Sequence, residues 1–376
     1  MLETPPIWFI LLAFLAAIGP LVFIHEYGHY IVGRWFGIGA ETFSIGFGRE
    51  ITGWTDKRGT RWKVGWLPLG GYVRFTGDMD PASMGRGLEQ LSPELRAKSF
   101  HAKPVWQRAL VVAAGPAANF LTAILIFAGF VMAYGAPSTP AVVETVLPGS
   151  PASAIPLVRG DRIVAVDGEE VDNFAELADF ARFRPGEDIR LSVLRDGRTF
   201  EASTRLAAVT EVDRFGQRYR VGRIGIGNAG IAFEPVPLLA VIPTAAGITF
   251  KTVENTALGL WQIVSGRRPL EELGGPIKMA QVAGQVASIG PWEFIQLLAF
   301  FSINLGFINL LPVPMLDGGH LALYAVEAVR RRPLEARAQE WLFRGGLAAL
   351  LSLMLMATFN DLGSVGLWQS LGRLLG

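Results

Sequence analysis

The sequence predicts a polytopic α-helical membrane protein of four transmembrane spans. It places strands in the loop after the first span and a small β-rich domain on the opposite face of the bilayer. Three observations carry this. The 376 residues are 51% hydrophobic and only 18% charged, with a mean hydropathy of +0.36, too apolar for an ordinary soluble chain. Uncharged runs long enough to cross a bilayer, which takes about 20 residues, recur between polar stretches. Lys and Arg crowd two of those stretches. The net charge of +1 gives no reason to expect a nucleic-acid partner, and the absence of cysteine excludes disulfides, thiolate metal sites and cysteine nucleophiles.

The first element, residues 1–36, holds the uncharged run Thr4 to Ile24. Glu3 is the only charge before it and no small-residue cleavage site follows, so the run reads as a retained span and not a secretory signal. Residues 37–104 form a loop in which "FSIGFG" and "PLGGYVRF" alternate like strands of a small sheet lying against the membrane. The second span lies within 105–135, where Ala109 to Val143 is uncharged and about Ala109 to Tyr134 is expected to be helical. Residues 136–234 comprise the β-rich domain and a connection. "AVVETV" and Arg162 to Val166 read as strands, Asp167-Gly168 as a turn, "FAELADFARF" as a helix, and "DIRLSVLRDGRTFEAST" as a hairpin closed by Asp196-Gly197. Residues 209–234 read as a polar connection with one more strand, "RIGIG".

Residues 235–290 read as an interfacial, amphipathic docking segment, because the apolar run Pro235 to Phe250 carries Pro235, Pro237 and Pro243. The third span lies within 291–330. Its run Phe294 to Leu316 is interrupted by Pro312 and Pro314. Residues 331–376 supply a basic loop and a fourth span, Gly345 to Asn360. Twelve Lys and Arg lie between residues 30 and 108, and Arg330, Arg331, Arg332, Arg337 and Arg344 crowd the last loop. The positive-inside rule puts both loops in the cytoplasm, with both termini and residues 135–290 outside. A fifth span would put the Arg330 cluster on the wrong side.

Chemistry concentrates at two places. "HEYGH", His25 to His29, is an H-E-x-x-H pattern at the end of the first apolar run. Positions four apart share a helix face, so His25 and His29 can reach one Zn²⁺, with Glu26 placed to activate water. The competing reading is polar residues snorkelling at a helix end. The second place is "NLLPVPMLDGGH", residues 309–320. A catalytic zinc needs a third protein ligand and an open position. Asp317 is the candidate, with a helix N-cap as its structural alternative. His320 is a rival ligand and reads better as an interfacial histidine, and His101 reads as a surface loop residue. Asn309, Pro312 and Pro314 break the helix, which at membrane depth implies a wet cleft. Asn309 either holds substrate or an oxyanion, or caps the broken helix. "GPAANF", residues 115–120, offers small residues and Asn119, and reads as helix packing and not chemistry.

These features together resemble the site-2 protease family of intramembrane zinc metalloproteases, in its bacterial regulatory branch. The resemblance covers nearly the whole chain. It is carried by His25-Glu26-x-x-His29, the "PLGGYVRF" loop, "GPAANF" and Asn309-x-x-Pro312-x-Pro314-x-Leu316-Asp317-Gly318-Gly319. It implies one zinc ion held by His25, His29 and Asp317, Glu26 as general base, and Asn309, with Pro312 and Pro314 beside it, at the substrate. It implies that Gly70, Gly71, Tyr72 and Val73 belong to a β-loop, Gly70 to Phe75, that dips into the membrane and meets substrate. It reads residues 139–208 as a PDZ-like domain on the periplasmic side of a bacterial inner membrane. Ile155-Pro156-Leu157 departs from the family's small-residue helix start, and there is room for one PDZ unit only, which suits a size filter against uncut ectodomains. The implied partners are the lipid bilayer and a transmembrane protein substrate, such as a pre-clipped anti-sigma factor or remnant signal peptides. Three other classes are set against this reading: a zinc-binding membrane scaffold without catalysis, a transporter, and a membrane-anchored zincin acting on soluble peptides.

Overall fold

The computed structural model describes residues 5–77, 92–138, 140–212, 218–228, 232–267, 269, 274–332 and 335–364. The expected cytoplasmic loop contains 78–91 and the expected last segment contains 365–376, which lie outside the described residues. The chain divides into two compact units. One comprises residues 1–127, 246–253 and 274–363, the other 128–245, 254–273 and 364–376.

In the first unit, helix α1 (Ile7–Trp35) runs through Pro20 and carries the whole H-E-x-x-H sequence in its last turns. Strands β1 (Ala40–Thr55) and β2 (Arg61–Phe75) follow and form an antiparallel pair. Their register shows that both strands bend. Residues 42–45 of β1 pair with 71–74 of β2 on one side and with 61–64 on the other, while 50–55 pair with 61–65. The segment 71–75 therefore ends the described ribbon at one edge. Gly70, at φ +92°, allows the bend that starts this edge segment. The ribbon is fastened to α1 by aromatic packing: Phe43 stacks on Trp62 at 4.3 Å between ring centres and meets Phe23 and Tyr30 of α1 edge-on. Asp56 accepts hydrogen bonds from Trp62 Nε1 at 3.0 Å and from the backbone of Arg58 and Thr60.

A short helix α2 (Pro93–Lys98) precedes α3 (Val105–Tyr134), which stays helical through Pro116. After the second unit come α6 (Pro276–Ile289) and α7 (Pro291–Leu310). Then α8 spans Asp317–Arg330 and α9 Ala336–Ser364. Helix α1 buries Ala13, Phe14, Ala17 and Leu21 against Ala283 of α6 and Phe301 of α7. Helix α7 packs on α3 through Ala123, Ala299 and Ile303. Among the described helices, four are long and apolar enough to cross a membrane by length and composition: Ile7–Trp35, Val105–Tyr134, Pro291–Leu310 and Arg337–Gly363. The third ends at Leu310, not Leu316, because residues 311–316 are irregular around the two prolines.

In the second unit, short strands β3 (Ala136–Ser138) and β4 (Thr145–Val146) open the β-rich region, and a single 3₁₀ turn covers Pro151–Ala154. Strands β5 (Arg162–Val166) and β6 (Glu169–Glu170) precede helix α4 (Phe174–Arg182). Strands β7 (Asp188–Arg195) and β8 (Arg198–Arg205) complete a four-stranded sheet in the order β6-β5-β7-β8. The core gathers Val143, Ile163, Val166, Leu177, Leu191 and Val193, all fully or almost fully buried. "AVVETV" forms a strand ladder at Thr145–Val146 and a single bridge from Val142 to Arg162 of β5. Ala141 and Val143 still point inward, but the Val143 backbone bonds residues 160 and 161 instead of a neighbouring strand.

The expected polar connection is more ordered than the sequence suggests. Strands β9 (Ala207–Val212) and β10 (Arg218–Arg223) form a hairpin. Strand β11 (Ile226–Gly227) pairs with β4, and β12 (Ala232–Glu234) pairs with β3. Alanines and a polar crossing mask the alternation that pairing exploits, and an Arg223–Glu211 ion pair bridges β9 and β10. Helix α5 (Leu238–Val264) continues through Pro243, with Pro235 and Pro237 ahead of its first turn. Its C-terminal part docks on the β-rich unit: Asn255 Nδ2 donates to Asp179 at 3.1 Å and Gln262 Nε2 to the Phe183 carbonyl at 3.0 Å.

Candidate metal and catalytic centre

The helical spacing of α1 puts His25, Glu26 and His29 in its last turns, and two helices from the far end of the chain bring their partners. The Nε2 atoms of His25 and His29 are 3.2 Å apart. Asp317 Oδ2 lies 3.2 Å from His25 Nε2 and 3.5 Å from His29 Nε2. A tetrahedral ion with ligand bonds of about 2.1 Å sets its donors about 3.4 Å apart, so three edges of that tetrahedron are already in place. Asp317 Oδ2 is buried, and among the described residues its polar neighbours are the two imidazole nitrogens, as suits an oxygen that shares a cation with them. Two imidazoles and one carboxylate suit zinc and leave a fourth position open.

The loop that delivers Asp317 is built by close backbone approach. A Cβ on Gly318 would lie 2.2 Å from the Leu310 carbonyl oxygen, and one on Gly319 would lie 2.3 Å from that of Val313. The two glycines let residues 311–316 fold tightly under the start of α8. Met315 takes φ +83°, a left-handed conformation costing a non-glycine residue about 1–2 kcal/mol. Asp317 is the first helical residue and its side chain caps nothing, so the N-cap alternative fails; Leu316 occupies the cap. The far end of α8 is latched to α3. Arg108 donates to Glu327 at 2.7 Å in a largely buried pair, and its guanidinium lies 4.9 Å from the Tyr324 ring centre.

Helix α3 supplies the floor. Val111, Gly115 and Asn119 are spaced four apart and share one face. His29 Nδ1 lies 2.9 Å from the Val111 carbonyl, and Asn119 Nδ2 lies 3.0 Å from His25 Nδ1. A Cβ on Gly115 would come within 2.2 Å of His29 Nε2, and one on Gly28 within 2.4 Å of the Ala114 carbonyl oxygen. Both glycines are thus needed for the contact between α1 and α3.

The structure also brings Asn309 and the β2 edge to this centre. Asn309 Nδ2 is 3.5 Å from His25 Nε2. A Cβ on Gly71 would lie 3.1 Å from Glu26 Cγ, and the Val73 backbone N–H faces the Glu26 carboxylate as a donor. The other expected substrate residues sit further out. Tyr72 stacks on Phe47, and a Cβ on Gly70 would meet the Phe47 ring. Pro314 packs at Gly346 of α9, and Pro312 is exposed. His320 lies over Phe343, with 4.9 Å between ring centres, outside the three-ligand group. His101, expected at the surface, is half-buried against Phe100.

Gly115 and Asn119 are site residues that sequence reasoning assigned to packing. The available signal was their spacing of four, which matches His25 and His29 across an antiparallel helix pair.

Comparison with known proteins places the chain in a family. Residues 13–353 match peptidase family M50. An Agrobacterium fabrum protein named "Putative zinc metalloprotease Atu1380" is 44% identical over 362 residues, covering 94% of this chain and 95% of that one. "Metalloprotease MmpA" of Caulobacter vibrioides is 38% identical over 389 residues, covering 97% and 98%. Among solved structures, the PDZ domain of an SdrC-like protein from Listeria monocytogenes is 23% identical, covers 24% of this chain and 88% of that one, and has a TM-score of 0.20.

Proposed function

Since the chain belongs to peptidase family M50 and is a zinc metalloprotease, we propose that it hydrolyses peptide bonds inside the transmembrane segments of single-span membrane proteins. One observation carries this reading: the His25–His29–Asp317 group is built on the last turns of a span-length apolar helix and beside the end of another. A zincin acting on soluble peptides has no need to place its metal there.

The roles follow from position. His25, His29 and Asp317 hold one ion. Zinc, when bound, supplies Lewis acidity to the scissile carbonyl and to the attacking water. Glu26 takes the proton from that water and returns it to the leaving amine. Glu26 lies against the β2 edge at Gly71, which sets it beside that strand. Asn309, in the last turn of α7 beside the helix break, holds the substrate backbone or the developing oxyanion.

A helical substrate hides its backbone and must unwind before attack. The β2 segment 71–75 is the edge of the described ribbon and runs past Glu26, so an unwound peptide can pair with it and be held extended. Residues 136–234 form a PDZ-like domain on the periplasmic side of a bacterial cytoplasmic membrane, where the domain excludes substrates whose ectodomains are uncut. The substrates are single-span regulators already clipped outside, such as an anti-sigma factor, and remnant signal peptides.

The test is co-expression with a single-span substrate tagged at both ends. Wild type should yield the membrane-internal fragment. Glu26→Gln should abolish it with zinc still bound, and Asp317→Asn should abolish both. Cleavage that persists in Glu26→Gln refutes the assigned base.

A further inference from the structure

Asn119 is a fully buried amide on an apolar helix, at 0% exposure. A buried amide is costly unless hydrogen-bonded, so each of its atoms should be accounted for. Its backbone carbonyl accepts from Ser302 Oγ at 2.8 Å. Its Nδ2 faces His25 Nδ1 at 3.0 Å, while its Oδ1 is buried with no hydrogen-bond donor among the described residues.

That arrangement conflicts with the ligand group. If the amide nitrogen donates to His25 Nδ1, the imidazole hydrogen must sit on Nε2. Nε2 is the atom 3.2 Å from both Asp317 Oδ2 and His29 Nε2, and an N–H there cannot bind a cation. A half-turn of the amide removes the conflict. Oδ1 then accepts from His25 Nδ1–H and the Nε2 lone pair is freed, while Nδ2 takes the position Oδ1 left. His29 is already set this way, because its Nδ1 faces a carbonyl, that of Val111, which can only accept.

We propose that Asn119 is a positioning residue whose amide oxygen accepts the His25 Nδ1 hydrogen, fixing the tautomer and ring orientation that make His25 a metal ligand. Helix α3 thus orients both histidines, one with a backbone carbonyl and one with a side chain two turns away. The proposal rests on the metal reading above and adds to it a residue outside the ligand set.

The test uses the full chain in detergent and measures zinc affinity by chelator competition, with the visible spectrum of the cobalt-loaded protein alongside. Loss of such a partner typically weakens metal binding by about 10–100-fold. Asn119→Leu, similar in size but unable to accept, should show that loss and a changed cobalt spectrum. Asn119→Asp, whose carboxylate accepts the same hydrogen, should bind zinc within about threefold of wild type and keep the spectrum. Wild-type affinity in Asn119→Leu overturns the proposal. So does Asn119→Asp falling as far as Asn119→Leu, since a packing role would make the buried charge the worse substitution. Wild type that binds no more zinc than His25→Ala brings down the metal reading itself, a separate outcome that takes the proposal with it.

Discussion

Replacing Gly115 with alanine adds one methyl group and should empty the metal centre. The new Cβ would stand 2.2 Å from His29 Nε2 and 2.5 Å from His29 Cε1, where ordinary contact begins at 3.4 Å. The His29 ring must therefore retreat by about 1.2 Å if α3 stays in place. It cannot do so and keep Nε2 at 3.5 Å from Asp317 Oδ2 with Nδ1 bonded to Val111. Metal sites tolerate distance errors of about 0.2 Å, so a displacement several times larger removes His29 from the set. Losing one of three ligands should weaken zinc binding at least as much as losing an outer partner, which is about 10–100-fold. The assay is zinc content after graded chelator dialysis, together with the rise in melting temperature on adding zinc. Wild type should hold zinc and be stabilised by it. Gly115→Ala should lose zinc at low chelator and show little stabilisation. Gly129→Ala on the same helix is the control, because a Cβ there meets nothing within 4 Å. If Gly115→Ala retains zinc as tightly as Gly129→Ala, the close approach of α3 to His29 does not exist as described.

Further outcomes are expected. Glu26→Gln should lower kcat by at least about 100-fold, the usual scale of general-base catalysis, with zinc stoichiometry unchanged in metal analysis. Gly71→Ala would place a Cβ 2.8 Å from the Ser44 carbonyl oxygen and 3.1 Å from Glu26 Cγ. It should shift the edge strand and slow cleavage about 10-fold or more while metal analysis still finds wild-type zinc. Arg108→Met removes the partner of a largely buried Glu327; it should cost about 3 kcal/mol or more in thermal unfolding and loosen the end of α8 opposite Asp317. The β-rich unit should show a defined acid response. The hydrogen bonds from Arg195, at 2.6 and 2.7 Å, hold the Asp161 carboxyl below the usual carboxylate range, against the opposing push of burial. Its folded value lies below its unfolded value of about 3.9, so the stabilisation is complete above pH 4 and is lost as pH falls through the folded value. Melting temperature measured from pH 7 down to 2 should fall below pH 4 in wild type. Asp161→Asn should flatten that fall and lower the melting temperature at pH 7.

Much of the site was legible in the amino-acid order because its chemistry is local. His25, Glu26 and His29 are set by a spacing of four on one helix, and the acid at Asp317 follows a proline-broken apolar run, where a carboxylate is costly without a cation. The β1–β2 ribbon was legible from alternation after Gly70 and Gly71. The β9–β10 hairpin was not, because Ala207 and Ala208 show no contrast with their neighbours and pairing alone orders them. Asn119 and Gly115 read as packing because a small residue and an amide on an apolar helix have no chemical identity until a neighbour is known.

The sequence by itself determined which side chains can bind a cation, which glutamate stands beside them, and where the apolar helices run, since those depend on residue type and short-range periodicity. Only the tertiary structure decided that α3 turns the stripe Val111–Gly115–Asn119 toward both imidazoles, that the 311–316 loop folds tightly enough for Asp317 to reach them, and that an edge strand passes Glu26. The physical reason is that each of these is a contact across many residues of chain, fixed by the closeness two backbones reach where a glycine omits its Cβ, and that closeness is written in no local pattern.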